Sequence, residues 1–324
     1  MIHVIISGMR GGVYDFAHIL QAEIRPDVVK VVPLSASTAA AWEIQAGDSI
    51  VLQMSGREFS KKGVPLWLLR EMEMRRHEIK RFGVFFHELY AFGPPWKSAF
   101  WLSPAQRHIV RRLAEMSDFW MTNREGSAQW LRRYAGYKPH AVLPVFSTVG
   151  ELQSLPTARK RNLVVFGRAP LRTISYRAAG RELFQWASRQ SLEIHDVGSP
   201  VTDTQVMDAL TANGVIQHGR LEAGQISDLM RGALFGIIAY PVDYIAKSSV
   251  FAAYCAHGLC PVILSKGYAP SDGLLAWQHY LPGVPTEIVD ADKAQQIGEV
   301  AWRWYRVHGV AYHGTVLSKF LAIE

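Results

Sequence analysis

Short apolar runs alternate with amphipathic stretches along nearly the whole chain, and no other feature limits its fold so strongly. In the first half the apolar runs cover 3–7, 28–33, 49–54, 83–87, 119–122 and 140–144. Stretches with helical character lie between them at 12–24, 66–80, 104–117 and 126–134. Strands covered on both faces read as continuous apolar runs, and helical crossovers return the chain so that they pair in parallel. A polar segment without periodicity, 147–161, breaks the rhythm and predicts a linker. The alternation then restarts, with strands expected at 162–166, 192–197, 215–217, 234–240, 261–264 and 286–289. Helices are expected at 175–189, 203–212, 223–231, 248–256 and 292–308, the last of them closing the chain's regular structure. The pattern predicts two doubly wound α/β domains in series, 1–150 and 151–308, with 309–324 as a tail that can pack back on the first. Ligands of open parallel sheets sit beyond the carboxyl ends of the strands, so two such domains facing across a cleft would carry their site residues at strand ends.

Composition narrows the class of protein. With 49% hydrophobic against 19% charged residues, the chain has ample material for two cores and is not of the disordered type. Cys255 and Cys260 share one apolar segment and offer neither a disulfide framework nor zinc-ligand spacing, which points to a reducing compartment. The start, Met1 to Gly8, lacks the basic and apolar regions of a signal peptide, and no run approaches membrane-spanning length. The expectation is a cytoplasmic protein. Residues 1–150 hold 19 Lys and Arg against 13 Asp and Glu, a net of +6, which leaves +1 of the total +7 for the remainder. The first half is therefore suited to an anionic partner such as a membrane surface or a phosphorylated acceptor. Nucleic acid would suit the charge, but no stacking motif or recognition-helix pattern supports it.

Four stretches place chemistry at strand ends. In Ser7–Phe16 a strand runs into Gly11 and Gly12 and then a helix, whose free N–H groups favour an anion. It is not a Gly-x-Gly-x-x-Gly turn, and no acidic residue ends the second strand, which disfavours a nicotinamide cofactor. In Val84–Trp96 an apolar strand ends on His87 and Glu88 before Gly93-Pro94-Pro95. Strand alternation sends those two side chains to opposite faces, so one of them points into a site. In Val164–Arg177 a strand ends on Gly167-Arg168, with Arg172 following. Arginine at a strand end suits a diphosphate, whose oxygens its planar fork can bind in pairs. In Tyr240–Ile263 a loop carries Asp243 and Lys247 into a helix begun by Ser248 and Ser249. A lysine at the dipole's unfavourable end makes sense with an anion bound there. Asp290-Ala291-Asp292 could hold a divalent metal, but helix capping explains it better. No Walker loop, His-Glu-x-x-His or Gly-x-Ser-x-Gly pattern occurs.

Together these stretches resemble the GT-B glycosyltransferases, and among them the large bacterial group-1 sugar transferases with a glycine-glycine N-terminal loop. The carriers are Gly11-Gly12, the "FFHELY" strand end, "LPVFSTVGE" at Leu143–Glu151, "FGR" at 166–168, "HGRLEAGQISDLMRGALFGIIAY" at 218–240 and "AHGLCPVI" at 256–263. The resemblance implies two Rossmann-like domains and a metal-independent, hexosyltransferase-type enzyme with no cofactor beyond a nucleotide-sugar donor. Together with the reading of the residues it gives donor contacts from Gly11, Gly12, Gly167, Arg168, Arg172, Gly219, Leu221, Tyr240, Lys247, Ser248 and Ser249. The family's lysine about five residues after its Gly-Arg is Thr173 here, with Arg172 beside it, and Lys247 is expected to supply that charge from the residues' own reading. His87 would touch the donor sugar or share the acceptor proton, with Glu88 or Asp15 as base if the reaction inverts. The acceptor would be a glycan or lipid-linked sugar of envelope or exopolysaccharide synthesis, met at the inner face of the membrane. Arg107, His108, Arg111 and Arg112, spaced as one basic helix face beside Trp96, Phe100 and Trp101, would favour anionic lipid. Many relatives carry two glutamates eight residues apart around the donor-binding helix. Here Ala253 stands at the second position and Tyr244-Ile245 near the first. That departure leaves the stereochemical outcome open, and it leaves open a nucleotide-sugar-binding protein without transferase activity. A non-hydrolysing nucleotide-sugar epimerase is a further alternative on the same fold.

Overall fold

A computed structural model describes residues 1–8 and 11–322. Met9 and Arg10 of the first glycine turn, and the last two residues of the tail, lie outside the described residues. The chain divides into two compact units. One takes Met1–Pro144 together with the helix Val310–Leu321, and the other takes Val145–Gly309.

The first unit carries strands β1 (Ile2–Ile6), β2 (Val29–Pro33), β3 (Ser49–Met54), β4 (Arg81–Phe86), β5 (Phe119–Thr122) and β6 (His140–Val142). They form one parallel sheet in the order β2-β1-β3-β4-β5-β6. Val84 and Phe86 face a core built with the helices Leu66–Arg75, Ser98–Met116 and Glu125–Ala135. Phe85 faces the other way and meets Phe16 of the helix Gly12–Ile24 edge to face at 5.2 Å. The helix Ser98–Met116 starts six residues before the expected Pro104. Pro104 lies at an exposed position early in the helix, where the Phe100 carbonyl it deprives of a donor can turn to water.

The second unit carries β7 (Lys160–Phe166), β8 (Glu193–Val197), β9 (Ile216–Gly219), β10 (Ala233–Ala239), β11 (Cys260–Leu264) and β12 (Leu281–Pro282). Their parallel order is β12-β11-β10-β7-β8-β9. The chain moves outward from β7 on one side and returns through β10 on the other, so the switch point lies between β7 and β10. The closing strand is β12, not the expected 286–289. At Val289 the side-chain amide of Gln190 takes the place of a ladder, accepting from the Val289 N–H and donating to its carbonyl.

Two further expectations change. The predicted linker is packed into the second unit: Phe146 and Ser147 are buried, Val145 N–H donates to the Ala246 carbonyl, and Ser147 N–H donates to the Tyr305 hydroxyl. The helix predicted to be last, Ala291–Arg306, is followed by Val310–Leu321, which packs on the helix Gly12–Ile24 of the first unit. There His313 stacks near Phe85, and Arg81 donates twice to the Phe320 carbonyl. Among the described residues, no helix is long and apolar enough to cross a membrane.

Candidate functional site

At the carboxyl edge of the second sheet, β7 and β8 run straight into Gly167 and Gly198, and β9 ends on Gly219. Backbone bonds tie the three turns together, from Gly167 N–H to the Val197 carbonyl and from Gly198 N–H to the Gly219 carbonyl. Gly198 has φ +145°, and a side chain there would run into the Gly167 carbonyl, so only glycine lets the two turns touch. The helix Ala169–Gln190 starts straight after Gly167, with Arg168 at its N-cap and Pro170 in the first turn, well before the expected 175. A Cβ on Gly167 would lie 3.1 Å from Val250, in the first turn of the helix Ser249–Ala256. Two helix starts therefore converge on one glycine turn at the switch point, where the free N–H groups of both favour an anion.

Side chains add positive charge to this edge. Arg168 is exposed beside Gly167. Lys247 ends the short 3-10 turn Val242–Lys247, half-buried, with its ammonium 5.4 Å from the Tyr244 ring centre. Ser248 caps the next helix, its hydroxyl accepting from Phe251 N–H at 3.2 Å, and Ser249 opens that helix. Arg220 follows Gly219 and donates from Nε to the Ser199 hydroxyl at 2.8 Å. Beneath Gly219, His218 shares a 2.9 Å hydrogen bond with His195 on β8. Burial, and then the neighbouring His218, lower the His195 pKa.

Arg172 does not belong among the donor contacts. It is fully buried, and its guanidinium is spent on protein: Nε donates to the Gly167 carbonyl at 2.9 Å, Nη1 pairs with Asp196, and Nη2 donates to the Ser199 carbonyl. Tyr176 holds the other Asp196 oxygen at 2.9 Å, and burial drives its pKa upward. Arg172 therefore props the glycine turns from below. Leu221 is half-buried after β9, in the loop capped by the Glu222–Gln225 pair. Tyr240 is half-buried at the end of β10 and lines a cavity of about 780 Å³ with Ile174, Val242, Lys266 and Tyr268, on the side of the helix Ala169–Gln190. Asp290 caps the helix Ala291–Arg306 by accepting from Asp292 and Lys293 N–H.

In the first unit His87 continues the ladder beyond β4, its N–H donating to the Met54 carbonyl. Its ring stacks on Phe85 at 4.5 Å and meets Phe16 edge to face at 5.2 Å. Nε2 lies 2.8 Å from Gln53 Oε1, so Gln53, fully buried on β3, fixes the tautomer that carries its proton on Nε2. Asn123, buried just after β5, donates to the His87 carbonyl at 3.4 Å. Glu88 is exposed. Asp15 sits at an exposed position in the first turn of its helix, yet the protein packed around that turn raises its pKa, against the opposing pull of His18. Gly11 takes the N-cap position of that helix, with φ +112° and open space around it, and Gly12 begins the helix.

Arg111 and Arg112 are less available than their spacing suggested, because Glu115 and Glu73 pair with them. Gly198, Arg220 and Gln53 were missed in the sequence. The first two had a legible signal, since a glycine followed by a polar residue recurs at the ends of three strands, at 167–168, 198–199 and 219–220.

No protein-family model matches the chain, and no curated protein matches its sequence. Solved structures do match. The pneumococcal O-GlcNAc transferase GtfA, in complex with UDP and GlcNAc, superposes with a TM-score of 0.56 at 11% identity over 89% of this chain. This chain spans 59% of the length of GtfA. An alpha-glucosyltransferase in complex with UDP and DNA matches with a TM-score of 0.54 at 10% identity, covering 99% of both chains. AviGT4, a glycosyltransferase of avilamycin A biosynthesis, matches with a TM-score of 0.53 at 10% identity, over 99% of this chain and 97% of its own. The chain has the GT-B fold of these glycosyltransferases, with two parallel α/β units each built on a six-stranded sheet.

Proposed function

We propose that this chain is a glycosyltransferase that moves a hexosyl group from a nucleotide sugar, with a uridine diphosphate sugar as the first candidate, to a glycan or lipid-linked acceptor. The observation that carries the reading is the meeting of two helix starts on the Gly167 turn at the β7–β10 switch point, with the Gly198 and Gly219 turns tied to it and Arg168, Arg220 and Lys247 on the segments that follow β7, β9 and β10. A diphosphate supplies the negative charge that such an edge favours. The base would lie over β8 and β9, meeting backbone at Gly219 and Leu221.

In the transfer, the bond from the anomeric carbon to the phosphate oxygen breaks and a bond to an acceptor hydroxyl oxygen forms. The electron pair leaves with the nucleoside diphosphate, whose growing charge Arg168, Lys247 and the Ser248–Ser249 helix start would stabilise without a metal. The hydroxyl proton must pass to a base. His87, fixed by Gln53, Glu88 and Asp15 with its raised pKa are the first unit's candidates. The basic first unit suits an acceptor of polysaccharide or envelope synthesis, met by peripheral contact with the inner face of the membrane.

The test is a thermal-shift screen of nucleoside diphosphates and their sugars. A donor at about 100 times its Kd should stabilise the protein by about 2.7 kcal/mol. Lys247→Ala should weaken the responding nucleotide at least tenfold, and transfer should require acceptor. No response to any nucleotide, or full affinity in Lys247→Ala, overturns the reading.

A further inference from the structure

Four large aromatic side chains stand in water within ten residues of the first unit: Phe92 is 64% exposed, Trp96 82%, Phe100 44% and Trp101 71%. Phe100 and Trp101 are held in place. Trp101 Nε1–H donates to the Pro95 carbonyl at 2.8 Å, and the Phe100 and Trp101 rings meet edge to face at 5.3 Å. Isolated exposed apolar residues are ordinary, but a fixed group of this kind marks a contact surface.

The structure also shows what surrounds them. Gln106, buried on the helix Ser98–Met116, accepts from Ala91 N–H at 2.7 Å and donates to the Lys62 carbonyl at 3.2 Å. One side chain thereby pins the 57–63 segment to the segment that leads into the aromatics. It brings Arg57, on the short helix Gly56–Phe59, and Lys61 and Lys62, all exposed, to the aromatic segment with its exposed Lys97. Arg107 adds its guanidinium, 4.3 Å from the Tyr90 ring centre. The acidic side chains of these segments are Glu58, hydrogen-bonded to the Ser7 hydroxyl, and Glu88. The surface is therefore cationic around an aromatic centre, and its charge comes from the 57–63 segment rather than from Arg111 and Arg112.

We infer that this surface docks the protein on an anionic lipid bilayer, with Phe92, Trp96 and Trp101 entering the headgroup layer and Lys61, Lys62 and Lys97 meeting lipid phosphates. Indole rings favour the membrane interface because one edge is polar and the body apolar. Juxtaposed lysines add attraction that falls off within a Debye length. The inference rests on the reading of the first unit as the acceptor side, and it names the surface through which that unit would reach a lipid-borne acceptor.

Vesicles of phosphatidylcholine, with and without about 30 mol% phosphatidylglycerol, test it with the full chain and no nucleotide. The wild type should cosediment with the anionic vesicles only, with a blue shift of tryptophan emission, and salt should release it. Trp96→Ala with Trp101→Ala should lower partitioning at least tenfold. Lys61→Gln with Lys62→Gln should lower it about twenty-five-fold, from about fivefold per lysine. Both variants should keep wild-type affinity for uridine diphosphate, so failure of the membrane contact and failure of the transferase reading give different results. Wild-type protein that ignores anionic vesicles overturns the inference. So do variants that partition like the wild type, and so does salt-sensitive binding to an acidic polysaccharide without binding to vesicles.

Discussion

Replacing Arg172 with methionine separates a supporting residue from a ligand-binding one. The side chain is fully buried and its guanidinium joins Gly167, Asp196 and Ser199. Methionine fills much of the volume but leaves the Asp196 carboxylate, 3% exposed, with the Tyr176 hydroxyl as its remaining side-chain partner among the described residues. Breaking a buried pair from one end costs about 3–5 kcal/mol. A unit of this size loses roughly 2–4 °C of melting temperature per kcal/mol, so the second unit's transition should fall by roughly 6–20 °C. Calorimetry without nucleotide measures that fall, and titration with uridine diphosphate measures affinity below the transition. Arg172→Met combined with Asp196→Leu removes both charges and should recover at least half of the loss. A melting temperature within about 2 °C of wild type, alongside a tenfold loss of nucleotide affinity, would show that Arg172 binds the ligand and that the proposed prop is mistaken.

Gly198→Ala places a side chain against the Gly167 carbonyl at φ +145°, and should cost about 1–3 kcal/mol in backbone strain while also weakening nucleotide binding. Gly214→Ala, at φ +62° in open space, should lose about 1–2 kcal/mol and leave nucleotide affinity alone; equal affinities in the two variants would refute the role of the glycine turns. His257 donates from Nδ1 to the Ala253 carbonyl and accepts from the Ser227 hydroxyl, each at 2.8 Å, and burial lowers its pKa from 6.5 to about 4. The unfolded chain takes up this proton first, so stability should fall as pH drops from 6.5 towards 4, by about 1.4 kcal/mol per unit and about 3 kcal/mol in all. His257→Gln should flatten that slope in chemical denaturation, and an unchanged slope would assign the acid sensitivity to other groups.

The strands were legible because a doubly covered sheet demands continuous apolar runs. β3 and β5 fall on their expected bounds, and the other matched strands shift by one or two residues at an end. Helix starts were harder to read. Pro104 looked like a first-turn proline but is the seventh residue of its helix, and the helix expected at 175 opens directly after Gly167. The two-residue β12 carries no pattern, whereas 286–289 carries a convincing one that Gln190 satisfies instead. Arg172 shows a limit of a different kind. An arginine near a strand-end glycine has the same sequence signature whether it faces a phosphate or the glycine's own carbonyl, and its burial decides. Gln53 gave no signal at all, since a glutamine in an apolar run shows its partner only once β3 and β4 are paired.

The helix Val310–Leu321 has a consequence for how the protein is made. The polypeptide enters the second unit at Val145 and leaves it at Gly309, so the first unit is discontinuous in sequence. A ribosome delivers all of the second unit before the segment that packs against Phe16 and Phe85 has emerged. Vectorial synthesis thus lets the later-encoded half mature first, while the earlier-encoded half waits for its last twelve-residue helix.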